Sequence, residues 1–326
     1  MKKSTLFVVL LAAVLGSVVW YFEFRREKPA EDSAAASKPL FSFQQDDIVG
    51  VTLRRSDQTI AFEKKEKDWR ITRPLDSATD SAAVDALLSS IASARLSRTI
   101  DVSPPASPEK LKEFGLDAPA VTLFVKLKAG AEHRLRLGAK DFTGGYVYAL
   151  TEAAAGVALL PDDILTNSDK PLLDFRDRRI AIFDQENIAR LRVRNQHGAL
   201  VAEKNAEGKW QVVSPVAKKG REVEASRILN ALENARASEI LDSPTPADRA
   251  RLVRPAVEVE LSTRGGHRIE VALSSGKQEI FVRSSLGPML FKTAQSILDS
   301  LNFKPEDIIK KEEPKKEELP AKEKNQ

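Results

Sequence analysis

The sequence predicts an α+β protein: two tandem homologous domains of mainly antiparallel sheet with covering helices, after one N-terminal transmembrane helix. Three observations predict it. A charge-free run of Ser4 to Phe22 opens the chain. The remainder matches itself in order at an offset that starts at 140–141 and falls to 128. Within each copy, short alternating strands are punctuated by turn residues and by amphipathic helical spacing.

The opening run is 19 residues of mostly Leu, Val, Ala and Phe. As a helix it spans about 28 Å, close to the thickness of a bilayer's hydrocarbon core. Trp20, Tyr21 and Phe22 close it, where an aromatic belt lies. Lys2 and Lys3 precede it and favour a cytoplasmic N-terminus, although Arg25, Arg26 and Lys28 follow. A cleaved signal peptide is the rival, but its apolar core is shorter and ends in a small-residue site. Here the first such cluster is Ala34 to Ala36. The expectation is therefore an uncleaved anchor with flanks over 1–28, anchored in lipid of the inner membrane, with the bulk periplasmic. Residues 29–42 read as a flexible tether, and 311–326 as a disordered Lys/Glu/Pro-rich tail.

The two repeats are expected at 43–180 and 181–310. Trp69 matches Trp210, Pro74 matches Pro215, and Pro119 matches Pro255. Ile48–Leu53 matches Ile188–Val193, Ser103-Pro104 matches Ser243-Pro244, and His133-Arg134 matches His267-Arg268. Phe175 matches Phe303, and Ile180 matches Ile308. The falling offset places deletions in loops of the second copy.

Each copy begins with three strands, at Ile48–Leu53, Thr59–Lys64 and Trp69–Thr72 in the first. A helix follows, with Thr79 or Asp80 as its cap and Val84, Leu87, Leu88 and Ile91 on one face. Ala225, Ile228, Leu229 and Leu232 take those places in the second copy. A short strand (Arg98–Val102; Glu239–Leu241) leads to a helix whose N-cap precedes proline, at Ser107-Pro108 and Thr245-Pro246. Gly115 suits a left-handed C-cap. Three more strands follow, at Val121–Lys126, Arg134–Leu137 and Tyr146–Leu150. Their counterparts are Val257–Leu261, Arg268–Ala272 and Ile280–Arg283. A last helix holds Asp163–Leu165 in one copy and Gln295–Leu301 in the other.

Composition narrows the chemistry. There is no Cys, which removes disulfides, thiol catalysis and thiolate zinc sites. Three scattered His argue against a His-rich metal site. The net charge is +4, of which residues 1–28 carry +3 and 304–326 carry none, leaving +1 over 29–303. A near-neutral body with 6% aromatics does not read as a nucleic-acid binder. No Walker motif and no nucleophile elbow occurs. Trp69 and Trp210 read as core anchors rather than partner hot spots. Asp162-Asp163 at a helix start complements the helix dipole. Arg176, Asp177, Arg178 and Arg179, with Asp174, form a mixed-charge cluster, readable as an interdomain salt-bridge network or as a partner-contact patch.

Several motifs together resemble one bacterial family. They are the run from Trp69 through Pro74 to the Asp80–Ile91 helix, Phe114-Gly-Leu-Asp-Ala-Pro119, Leu137-Gly138, Tyr146-Val-Tyr148 and Leu173-Asp-Phe-Arg-Asp-Arg-Arg179. The family is the membrane-anchored domain of unknown function 4340, and the resemblance covers nearly all of 43–310. It implies a single-pass inner-membrane protein with a periplasmic body. It also implies encoding beside ABC-type permeases and gliding-motility-type auxiliary proteins. It supplies no catalytic, cofactor or metal residues. The second copy departs from it, with Leu252-Val-Arg-Pro255 in place of the Gly-Leu-Asp-x-Pro string.

The expected function is thus a non-enzymatic, membrane-anchored periplasmic adaptor or auxiliary subunit of an ABC-type transport complex, with a membrane-protein partner. An alternative is a cell-wall or surface-polymer binding module using Phe142, Tyr146 or Tyr148. A third is a carboxylate-based periplasmic hydrolase using Asp162 or Asp177. Oligomeric state is left open by the sequence.

Overall fold

The computed structural model describes residues 38–100, 107–154 and 156–310. The expected anchor, most of the tether and the C-terminal tail lie outside these residues. Among the described residues, no helix is long and apolar enough to cross a membrane.

The chain divides into two compact units, at Phe175 and Arg176. The first contains β1 (Lys38–Pro39), β2 (Ile48–Arg54), β3 (Thr59–Lys65), β4 (Asp68–Arg73), β5 (Ser77–Ala78) and helix α1 (Ser81–Ala92). It continues with β6 (Arg95–Leu96), β7 (Arg98–Ile100), α2 (Pro108–Glu113), β8 (Val121–Leu127), β9 (Glu132–Lys140) and β10 (Tyr146–Thr151). It ends with β11 (Val157–Pro161), α3 (Asp163–Ser168) and α4 (Leu172–Phe175). The main sheet runs β5-β4-β3-β2-β8-β9-β10-β11-β7, antiparallel throughout.

The second unit contains β12 (Ile188–Asn195), β13 (Gly198–Lys204), β14 (Trp210–Ser214), α5 (Ser226–Asn234), β15 (Glu239–Leu241) and α6 (Pro246–Ala250). Then come β16 (Val257–Thr263), β17 (Arg268–Leu273), β18 (Ile280–Ser284), β19 (Leu290–Thr293) and α7 (Gln295–Leu301). Its sheet runs β14-β13-β12-β16-β17-β18-β19-β15. Strand for strand, this is the order of the first unit without the β5 edge.

Two of the irregularities repeat as well, whereas the slip of β10 against β9 between Val147 and Ala149 has no counterpart between β17 and β18. β2 slips against β8 between Ile48 and Gly50, and β12 slips against β16 between Ile188 and Arg190. β3 slips against β4 between Ala61 and Phe62, and β13 slips against β14 between Val201 and Ala202. Bulges re-aim a strand and are features of a particular fold rather than noise. The peptide bonds before Pro74 and Pro215 are both cis.

Alternation explains one face of each sheet. Val51, Leu53, Leu123, Val125, Leu135 and Leu137 are buried against Val84, Leu87, Leu88 and Ile91 of α1. Asp80 caps that helix by accepting from the Ala83 N–H at 3.0 Å. In the second unit Leu191, Val193, Val259 and Leu261 meet Ile228, Leu229 and Leu232 of α5. A small satellite cluster occupies the opposite face at one end. It contains Leu116 and Val157, with Leu111, Phe114, Tyr148 and Leu150, in the first unit. It contains Leu252, Phe281 and Leu290 in the second.

Four details differ from the sequence reading. Lys38–Pro39 pairs with Arg95–Leu96, and Leu40 and Phe41 are buried, so the last residues assigned to the tether belong to the packed body. Their apolar side chains, with Phe43, explain it. The unit division falls five residues before position 180, and Ile180 joins the second core. β11 and β19 were not expected: Val157-Ala-Leu-Leu-Pro161 is a continuous apolar run without alternation, and β19 is four residues long. The short strand expected over Arg98–Val102 is seen over Arg98–Ile100, its last two residues lying outside the described ones.

Candidate functional site

The charged cluster after Phe175 folds onto the second unit. Arg176 is buried and donates two bonds to Asp242, at 2.8 and 2.6 Å. Asp242 follows β15 directly. Asp177 accepts from the Arg179 backbone N–H at 3.0 Å and from the Arg179 guanidinium at 2.6–3.0 Å. Burial pushes the Asp177 carboxyl up, but the Arg179 hydrogen bonds and charge outweigh it and hold it below the ordinary range. The Arg178 carbonyl accepts from the Ala237 N–H at 2.7 Å. Asp174 stands just ahead and is also engaged. These bonds fasten the start of the second unit to itself.

The repeat markers are structural in position. Trp69 and Trp210 are half-buried and pack against the two main cores, with Lys204 Nζ 5.4 Å from the Trp210 ring centroid. Pro74 follows β4 and Pro215 follows β14, and Pro119 and Pro255 lead into β8 and β16. His133 stacks on Phe41 and Phe43 at 5.3 and 5.2 Å. His267 is exposed ahead of β17. Among the described residues, no group of three or more His, Cys, Asp or Glu is placed to hold a metal.

The carboxylates considered for hydrolysis lie in different units. Asp162 is bound by Lys140 Nζ at 2.9 Å. Asp163 is raised above the ordinary carboxylate range by burial and by the adjacent Asp162 charge. Phe142 is 97% exposed on the β9–β10 turn, and Tyr146 is exposed beside it.

The helix-free faces of the two sheets were not singled out by the sequence, because alternation scatters their residues along four strands. Register brings them together. In the second unit this face holds Arg190, Arg192, Arg194, Glu258, Glu260, Arg268 and Glu270. Three of its four arginines meet carboxylates: Arg190 with Glu203, Arg194 Nε with Glu258 at 2.7 Å, and Arg268 with Glu260 at 3.7 Å. The central part lines an open trough of about 450 Å³. In the first unit the equivalent rows are Arg54–Thr122–Arg136 and Thr52–Phe124–Arg134. Arg54 and Arg134 flank the Phe124 ring at 4.9 and 5.7 Å. Arg134 and Arg136, with Leu150, Thr151 and Glu152, line a smaller trough of about 230 Å³.

The string around Gly115 is also specific to the first unit. Gly115 has φ +65°, and the Phe114 carbonyl ahead of it accepts from the Ala139 N–H at 2.9 Å. A Cβ on Gly138 would sit 2.2 Å from that carbonyl. In the second unit Arg251 instead lies 4.8 Å from the Phe281 ring centroid, and Ser274 Oγ accepts from the Phe281 N–H. Two different local solutions support the same satellite cluster.

No curated protein and no solved structure matches the chain. One family does, described as Domain of unknown function (DUF4340), over residues 69–255. That span begins at Trp69 in β4 and ends at Pro255 ahead of β16, so it takes in the Gly115 string, the Arg176–Arg179 cluster and both cis-proline turns. With more than half its length covered, the chain belongs to the DUF4340 family.

Proposed function

We propose that this chain is a non-enzymatic, membrane-anchored periplasmic adaptor or auxiliary subunit of an ABC-type transport complex. Its two sheet units are homologous copies, each offering one broad face. Residues 1–28 would be its inner-membrane anchor, with the N-terminus cytoplasmic. The observation that carries the reading is the contrast between two units of one plan. The core faces and two of the bulges are kept, while the exposed sheet faces have diverged in charge. Divergence of an exposed face on a shared framework is what separate contacts require. Anchoring adds to this by raising the effective concentration near a membrane partner. Crosslinking the full chain in native membranes, then solubilising and identifying the products, should recover a permease or its auxiliary protein. Repeated failure to recover any membrane protein would sink the idea.

A second reading, a cell-wall or surface-polymer binding module, is favoured by the exposure of Phe142. Exposed aromatics serve as stacking platforms for ring-bearing ligands. Co-sedimentation of the full chain with peptidoglycan, lost in Phe142→Ala, is its expected result. No sedimentation removes it.

A further inference from the structure

We propose that the helix-free face of the first unit docks an acidic polypeptide segment of a partner, whose carboxylates sit between Arg54 and Arg136. The two units differ at equivalent positions of this face. Arg54 and Arg194 occupy the same place, on the strand next to the sheet's central ladder. Opposite Arg194 stands Glu258, and the two form a charge-assisted bond at 2.7 Å. Opposite Arg54 stands Thr122, which brings no charge. Beyond it lies Arg136, where the second unit has Ala272. In the next row Phe124 and Arg134 replace Glu260 and Glu270. On this face the first unit has therefore lost three carboxylates and gained Arg134 and Arg136, while Gly50, Thr52 and Glu132 stand where the second unit has Arg190, Arg192 and Arg268.

None of Arg54, Arg134 and Arg136 has an ion-pair partner among the described residues. Glu63, Glu132 and Glu152 lie nearby without closing on them. The Arg54 and Arg134 guanidiniums both lie within cation–π range of the Phe124 ring, a contact that favours these positions and limits the freedom lost when they bind. The chain itself shows which group fits: a carboxylate, since Glu258 already occupies the equivalent place. The open sheet face suits an extended segment rather than a small enclosed ligand. The proposal deepens the adaptor reading but is tested without the permease.

The probe is a fluorescein-labelled twelve-residue Glu/Asp peptide, titrated with the full chain in neutral detergent and followed by anisotropy. Binding that weakens with salt is expected. The Arg54→Gln/Arg136→Gln variant should weaken it at least tenfold. Thr122→Glu, which installs the second unit's own carboxylate, should abolish it while thermal melting shows a folded chain. Arg192→Gln, in the second unit, should leave it unchanged. Absence of binding overturns the proposal, as does equal binding by both first-unit variants. If phosphatidylglycerol vesicles or a single-stranded oligonucleotide bind more tightly than the peptide, and lose binding in the same variants, the face is a phosphate site and the assigned occupant is wrong. Failure to crosslink a permease, with peptide binding intact, would instead count only against the transport reading.

Discussion

Arg176 grips Asp242 through two parallel N–H···O bonds, although 66 positions separate them. The Arg176 side chain is 6% exposed, whereas the Asp242 side chain is 40% exposed. The arginine has given up water that the aspartate partly keeps. Its fork geometry returns hydrogen bonds that a lysine could not supply in the same plane. Together with the Arg178 carbonyl bond to Ala237, this fixes where the second unit begins.

Removing that carboxylate should therefore hurt more than removing an exposed one. Asp242→Ala leaves a buried guanidinium short of its main acceptor, at a cost of roughly 2 kcal/mol. Arg176→Met in the same background should recover part of the loss, because no desolvated charge remains. Urea unfolding of the four members of this cycle measures both. Equal stability of wild type and Asp242→Ala would show that the pair contributes nothing.

The Asp177–Arg179 pair makes a pH prediction. The folded carboxyl lies below its unfolded value. Its contribution is thus present above the ordinary carboxylate pKa and is lost as pH falls through the depressed folded value. Asp177→Asn should destabilise the protein at neutral pH and reduce the slope of stability against pH on the acid side. Asp163 has the opposite sign, since burial raises it. Its favourable contribution belongs to the protonated form and is lost as pH rises through the raised value. Asp163→Asn should stabilise the protein at neutral pH relative to pH 3. Unfolding midpoints at the two pH values check both signs.

Much of the fold was legible because two periodicities repeat in two copies. Val84, Leu87, Leu88 and Ile91 lie on one helical face and are all buried. The cap at Asp80, the proline-led helices and the left-handed Gly115 were likewise readable, since each rests on local backbone chemistry. What escaped depended on distant neighbours. β11 and β19 carry no alternation to announce them. Arg54, Thr122 and Arg136 form a row only once antiparallel register has aligned three strands. The charge of that face is invisible in a composition whose body sums to +1. The Arg176–Arg179 cluster was legible as a cluster, but nothing local named Asp242 as the acceptor.

The first helix supplies a local test. Asp80 accepts from the Ala83 N–H, while Asp80's own N–H donates to the Phe175 carbonyl at 2.9 Å. Asp80→Ala removes the cap and keeps the second bond, so the expected loss is about 1 kcal/mol. Phe175→Ala should cost more, roughly 3–5 kcal/mol, because it empties a fully buried site against Phe62, whose ring centroid is 5.0 Å away. If the two substitutions proved equally costly in urea unfolding, the cap would be coupled to that packing.

At Gly138 the two units use different chemistry. Register pairs Leu137 with Val121 and Leu273 with Val257, so Gly138 and Ser274 are equivalent. In the second unit the Ser274 hydroxyl is buried and accepts from the Phe281 N–H at 3.0 Å. In the first, the Phe114 carbonyl fills the space where a Cβ would go. Gly138→Ser cannot restore the second unit's bond without expelling the Phe114–Gly115 turn, and it should destabilise the first unit by about 1–3 kcal/mol. Ser274→Gly has no carbonyl to admit and loses one hydrogen bond, a cost near 1 kcal/mol. Hydrogen exchange separates the two units in the intact chain. Gly138→Ser should raise exchange in β8, β9 and β10 while leaving β16, β17 and β18 protected. Tolerance of serine at Gly138 with unchanged exchange would mean that the Phe114 turn is an adjustable surface loop, and that the glycines of this string are not what holds it against the sheet.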